Sequence, residues 1–65
     1  MSRGAVLLKR WRQRSRLSQR EVARRIERTD QLVSELERGA TPSLATAIAL
    51  ETKAGIPPRA WLEAA

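Results

Sequence analysis

Residues 17–39 read LSQREVARRIERTDQLVSELERG. This stretch carries two helix starts and one helix stop. Ser18 followed by Glu21 has the spacing of a capping box, in which each side chain accepts a hydrogen bond from the backbone amide of the other residue. Val22, Ala23 and Ile26 then share one helical face, with Arg20 and Arg24 on the other. Thr29 is the next N-cap, and Val33 and Leu36 form the apolar stripe of a helix running from Asp30 to Arg38. Gly39 closes that helix at a position that needs a positive φ. Two short helices with a brief connection and a strongly capped second member predict a helix-turn-helix over about residues 18–38.

Outward from this unit, every segment reads as helix. A first helix is expected from about Gly4 to Ser15, with Leu7, Leu8 and Trp11 on one face and Lys9, Arg10, Arg14 and Arg16 pointing elsewhere. Arg12 lies four residues after Leu8, so it borders the apolar stripe. Thr41-Pro42-Ser43 forms a loop and then a cap for a fourth helix over about Leu44–Ala54. Its inward face is expected to hold Leu44, Ala47, Ile48 and Ala54, which puts Glu51 in the middle of an apolar face and in need of a partner. Gly55 ends this helix, and Pro57 and Pro58 suit the first turn of a short fifth helix with Trp61 and Leu62 as its apolar residues. No run alternates with period two, and the aromatics are limited to Trp11 and Trp61. The expectation is an all-α, compact five-helix bundle forming a single domain over residues 1–65.

A chain of 65 residues is at most one domain, and it buries only about 60% of its unfolded surface. There is no cysteine, so no disulfide or thiolate metal site supports the core. There is no histidine, which removes the usual general base and the commonest zinc ligand. Neither an enzyme nor a metal or cofactor site is expected. Without a long apolar run or a signal-peptide pattern, the chain reads as a cytoplasmic protein. Its charge is uneven: residues 1–28 hold ten basic and two acidic residues, a net +8, while residues 29–65 hold three and five, a net −2. Arginine-rich segments can simply be solvated helix faces. So many cations with so few acids favour a polyanion partner, nucleic acid first and an anionic membrane surface second.

The positions now assembled are Leu17-Ser18-Gln19, Val22-Ala23, Ile26, Val33-Ser34, Leu36-Glu37-Arg38-Gly39 and Pro42-Ser43. Together they resemble the Cro/C1-type helix-turn-helix family of phage and bacterial regulators, without a gap and across roughly Leu7–Leu62. The resemblance implies a lambda-repressor-like DNA-binding domain associated with the nucleoid. Its implied activity is sequence-specific binding of double-stranded DNA as a transcriptional regulator, a repressor, with the third helix reading the major groove. Gln19 matches the position that braces a phosphate, as a helix N-terminus allows. Thr29, Asp30, Gln31, Ser34 and Glu35 match the positions that approach base edges and phosphates. Arg38, Ala40 and Thr41 match the stretch that grips the backbone, and Arg20 and Arg28 are added as nearby cations. Arg12 and Glu37 match an ion pair between the first and third helices. One recognition helix reads few base pairs, so a homodimer on a pseudo-palindromic operator is expected, with Ile56, Trp61 and Leu62 as its interface. Trp61 serves equally well as core filling. No membrane or small-molecule partner is expected.

Three points stay open at this level. Asp30 and Glu35 either accept a hydrogen bond from cytosine or pair with neighbouring arginines. The turn after the second helix has Glu27-Arg28 where the family usually has Gly and a small apolar residue. Glu27 in a left-handed conformation would cost roughly 1 kcal/mol, and Arg28 either loosens the turn or places a cation near DNA. The alternative function is an antitoxin-like adaptor that uses the same acidic helix to meet a protein.

Overall fold

A computed structural model describes residues 1–65. Four α-helices follow one another: α1 (Arg3–Arg14), α2 (Gln19–Ile26), α3 (Asp30–Glu37) and α4 (Leu44–Ala54). The last element, Pro58–Leu62, is a 3-10 helix rather than the expected fifth α-helix. Two consecutive prolines remove two backbone donors there, and the five residues close with tighter bonds, Ala60 N to Pro57 O at 2.9 Å and Glu63 N to Ala60 O at 3.2 Å. No strand forms; a single antiparallel bridge joins Ser2 and Ala64.

Hydroxyl side chains start all four α-helices. Ser2, Ser18, Thr29 and Ser43 accept from the amides of Ala5, Glu21, Leu32 and Thr46. At Ser18 the capping box is complete, because its amide donates to Glu21 Oε1 at 2.8 Å. The first three helices end alike. A residue with positive φ (Arg16 at 58°, Glu27 at 57°, Gly39 at 109°) lets the next amide reach back, Leu17 N to Arg12 O, Arg28 N to Ala23 O and Ala40 N to Glu35 O. Only the third of these ends uses glycine. Glu27 is left-handed at a turn whose geometry the sequence left open, and the left-handed Arg16 has no glycine to announce it either.

The core gathers Leu8, Val22, Val33, Leu36 and Leu50 with Ala5, Ala23, Ile26, Ala47, Ile56, Ala60 and Trp61. Leu7 and Trp11 pack half-buried against it. On α4 the inward face differs from the expected one. Thr46, Ala47 and Leu50 point in, Ala54 is half-buried, and Leu44 and Ile48 lie exposed. Glu51 is on the solvent side and needs no partner. A polar Thr46 can occupy the core side because its hydroxyl is satisfied, by Arg28 Nε at 3.1 Å and Ser43 Oγ at 3.1 Å. The two chain ends lie together: Arg3 N donates to Glu63 O at 2.8 Å, and the Arg3 guanidinium meets Glu63 Oε1 at 3.0 Å. This clasp holds α1 against the 3-10 helix, where Gly4 lies under Trp61.

Candidate nucleic-acid interface

The helix-turn-helix is held in register by one buried charge. Glu37, at the end of α3, is only 7% exposed. Arg12 of α1 donates from Nε to Oε2 at 2.6 Å and from Nη2 to Oε1 at 3.0 Å, a two-pronged arrangement that suits a planar guanidinium. Arg12 Nη1 also donates to Leu17 O at 3.2 Å, at the entry to α2. Three elements, α1, the α1–α2 turn and α3, are thus pinned by one pair. The hydrogen bond to Glu37 raises the Arg12 pKa, with partial burial opposing it. Gln19, at the start of α2, joins the network: its Nε2 donates to Glu37 Oε1 at 3.3 Å. The carboxamide nitrogen carries a second N–H, so Gln19 can hold Glu37 and still offer a donor at the start of α2.

The outward strip of α3 is less uniform than its sequence implied. Asp30, Gln31 and Arg38 are exposed, whereas Ser34 and Glu35 are half-buried. Asp30 Oδ2 sits 4.0 Å from Arg20 Nε and its Oδ1 accepts from the Gln31 amide at 3.1 Å. Asp30 therefore has an arginine neighbour and the favourable N-terminal end of a helix to explain it. Glu35 makes no ion pair and no side-chain hydrogen bond within the chain. Arg38 Nη1 donates to Ser34 Oγ at 2.7 Å, which lays the guanidinium back along the strip. Thr29 uses one oxygen lone pair to accept from the Leu32 amide, and its hydroxyl hydrogen remains available. Thr41 is exposed in the loop after α3.

Arg28 points elsewhere. Its Nε donates to Thr46 on α4 at 3.1 Å and its Nη1 to Glu27 O at 2.9 Å. These bonds tie the α2–α3 connection to α4, while the residue stays exposed and without an acidic partner. The interface expected from Ile56, Trp61 and Leu62 also divides. Ile56 is 2% exposed and Trp61 4%, so both belong to the molecule's own core. Of the three, only Leu62, 82% exposed, is open. It lines a shallow apolar groove with Pro42, Leu44 and Pro58.

Two capped helices are thus joined by three residues, of which Glu27 is left-handed, and braced by a third helix. A family model described as helix-turn-helix matches residues 8–61. The chain belongs to the Cro/C1-type helix-turn-helix family. No curated protein and no solved structure matches it. As a member of a DNA-binding family, this helix-turn-helix protein has double-stranded DNA as its implied partner. No helix in it is long and apolar enough to cross a membrane.

Several supporting residues were not legible beforehand. Thr46 and Ser43 anchor Arg28, and Leu32 packs the first turn of α3 against the core. Ser43 and Thr46 carried a cap-like spacing in the sequence, but nothing there pointed to Arg28.

Proposed function

We propose that this helix-turn-helix protein is a sequence-specific transcriptional regulator, a repressor, that lays α3 in the major groove of an operator. The observation that carries the reading is the state of Gln31: it is exposed at the start of α3, and its carboxamide has no partner within the chain. A free carboxamide on a rigid, well-capped helix can make the two hydrogen bonds that distinguish adenine. Gln19, Arg20, Thr29 and Thr41 supply phosphate donors around it, and Arg38 adds a charge-assisted one. Glu35, unpaired within the chain, accepts from cytosine, while Asp30 is balanced by Arg20 and reads nothing. An acid close to the phosphates weakens binding to every duplex and so sharpens selectivity at a cost in strength.

A homodimer follows from half-site geometry, two recognition helices about one DNA turn apart. Leu62 and Leu44, rather than Ile56 and Trp61, supply its apolar contact. The adaptor alternative rests on the acids of α3, and the pairing of Asp30 with Arg20 removes half of its support.

The test is to titrate variants against a selected operator, its single-substitution derivatives and random duplex at one salt concentration. Gln31→Ala is expected to lose about 1–3 kcal/mol on the operator and little on random DNA. Arg38→Ala is expected to weaken both alike. Glu35→Gln is expected to change the preferred base at one position of each half-site. Equal losses on every duplex for Gln31→Ala would remove α3 as the reader, and a salt dependence near zero would remove DNA as the partner.

A further inference from the structure

α1 carries Arg3, Lys9, Arg10, Arg12 and Arg14 and no acidic residue. Two of these are accounted for, Arg12 by Glu37 and Arg3 by Glu63. Lys9, Arg10 and Arg14 are exposed and take part in no ion pair, and neither does Arg16 in the turn that follows. Arg10 and Arg14 are four residues apart, so they stand one above the other on the same face and repel. A solvated helix normally relieves such a pair with a glutamate one turn away; α1 has none. The pattern works against the stability of a small domain and calls for an anionic partner.

The duplex on α3 does not supply that partner. α1 turns Leu8 and Arg12 inward, and α3 turns Val33, Leu36 and Glu37 inward to meet them. The outer faces of the two helices therefore point away from each other across a body of 25 × 22 × 19 Å. Attraction through that distance is screened, because the Debye length at physiological salt is about 8 Å. The clasp between Arg3 and Glu63 and the seat of Gly4 under Trp61 fasten α1 to the 3-10 helix, which sets the direction its outer face takes.

We infer that the outer face of α1, built on Arg10 and Arg14 with Lys9 and Arg16 beside them, binds the phosphate backbone of a second duplex, so that the protein bridges two DNA segments. The inference rests on the DNA-binding reading of α3. The second contact is sequence-independent, since guanidinium groups on phosphates carry no base information.

The test uses one duplex tethered to beads and a second, fluorescent duplex of unrelated sequence free in solution, with binding of each single duplex measured in parallel. The wild-type protein is expected to carry the fluorescent duplex onto the beads. The double variant Arg10→Gln/Arg14→Gln, at exposed positions that tolerate a good helix former, is expected to lose bridging roughly tenfold while keeping single-duplex affinity within about twofold. Circular dichroism checks its fold; if the pair of changes unfolds the chain, Arg14→Gln alone is scored by the same criteria. Bridging at full strength in the variant would mean that two recognition helices of a dimer do the bridging, and the inference would fall. Loss of single-duplex affinity in step with bridging would place α1 in the first footprint and overturn it too. A wild-type protein that binds one duplex but never captures a second defeats the inference alone, whereas one that binds no duplex defeats the DNA reading as well. Phosphatidylglycerol vesicles complete the set: sedimentation that depends on Arg10 and Arg14, without bridging, would assign the face to a membrane instead.

Discussion

Gly4 lies flat against the indole of Trp61, so closely that a Cβ on Gly4 would meet ring atoms Cδ2 and Cε3, the latter at 2.6 Å. The contact joins the first turn of α1 to the 3-10 helix 57 positions along the chain. Glycine in a helix is ordinarily a weakness, about 1 kcal/mol worse than alanine. Here the sign reverses. Gly4→Ala is expected to destabilise the protein by about 1–3 kcal/mol, because the methyl group forces α1 and Trp61 apart. Thermal unfolding followed by tryptophan fluorescence measures it; a raised melting temperature would show that the ring gives way freely.

Arg12→Met and Glu37→Leu each strand one charge in a poorly solvated site. Breaking a buried pair from one side costs about 3–5 kcal/mol, comparable with the roughly 3–5 kcal/mol that so small a core supplies in total. Both single variants are expected to be largely unfolded, and the double variant to recover a cooperative transition. Urea denaturation of the four proteins forms the cycle. Additive losses would show that the two residues do not act together.

Glu27 holds φ 57° and ψ 46° at the end of α2. A side chain in that region costs about 1–2 kcal/mol per residue, a penalty that glycine escapes. Glu27→Gly is expected to stabilise the fold by about 0.5–1 kcal/mol once the added freedom of the unfolded chain is deducted. The carbonyl that receives Arg28 Nη1 is backbone and survives the change. An unchanged or lowered urea midpoint would show that the turn carries no relievable strain.

The Ser18 amide and hydroxyl, with Arg24 and Arg25 adding a smaller part, hold the Glu21 carboxyl below its ordinary 4.5. The folded value is thus lower than the unfolded one. Its contribution is present above pH 4.5 and is lost as pH falls below that value through the folded one. The start of α2 is expected to fray in acid below that value. Titration of Glu21 by NMR checks the shift. In Ser18→Ala the backbone amide remains but the reciprocal cap is gone, so the value should move back up. No movement would leave the shift to the Ser18 backbone amide and the arginines, without the hydroxyl.

Parts governed by neighbours three or four residues apart are legible in the chain's order of residues. The caps at Ser18 and Thr29, the stop at Gly39 and the apolar stripes of α2 and α3 rest on hydrogen bonds and periodicities contained within one or two turns. Resemblance then supplied the long-range pairing of Arg12 with Glu37, whose side chains meet at 2.6 and 3.0 Å. Where two local choices are nearly equal, packing between distant elements makes the selection. On α4, apolar residues occur on more than one side, so the inward face was set by what it meets: Arg28 arrives to satisfy Thr46, and Leu44 is left 74% exposed. The same holds for Arg28, whose short reach to α4 no spacing announces, and for Trp61, where the fit against Gly4 made a residue suited to core or interface into core. Two consecutive prolines were compatible with either helix type, and Pro58–Leu62 closes as a 3-10 helix. Local bonds are written in contiguous residues; the choice among similar faces is made by groups distant in sequence, each with a polar atom to satisfy or a cavity to fill.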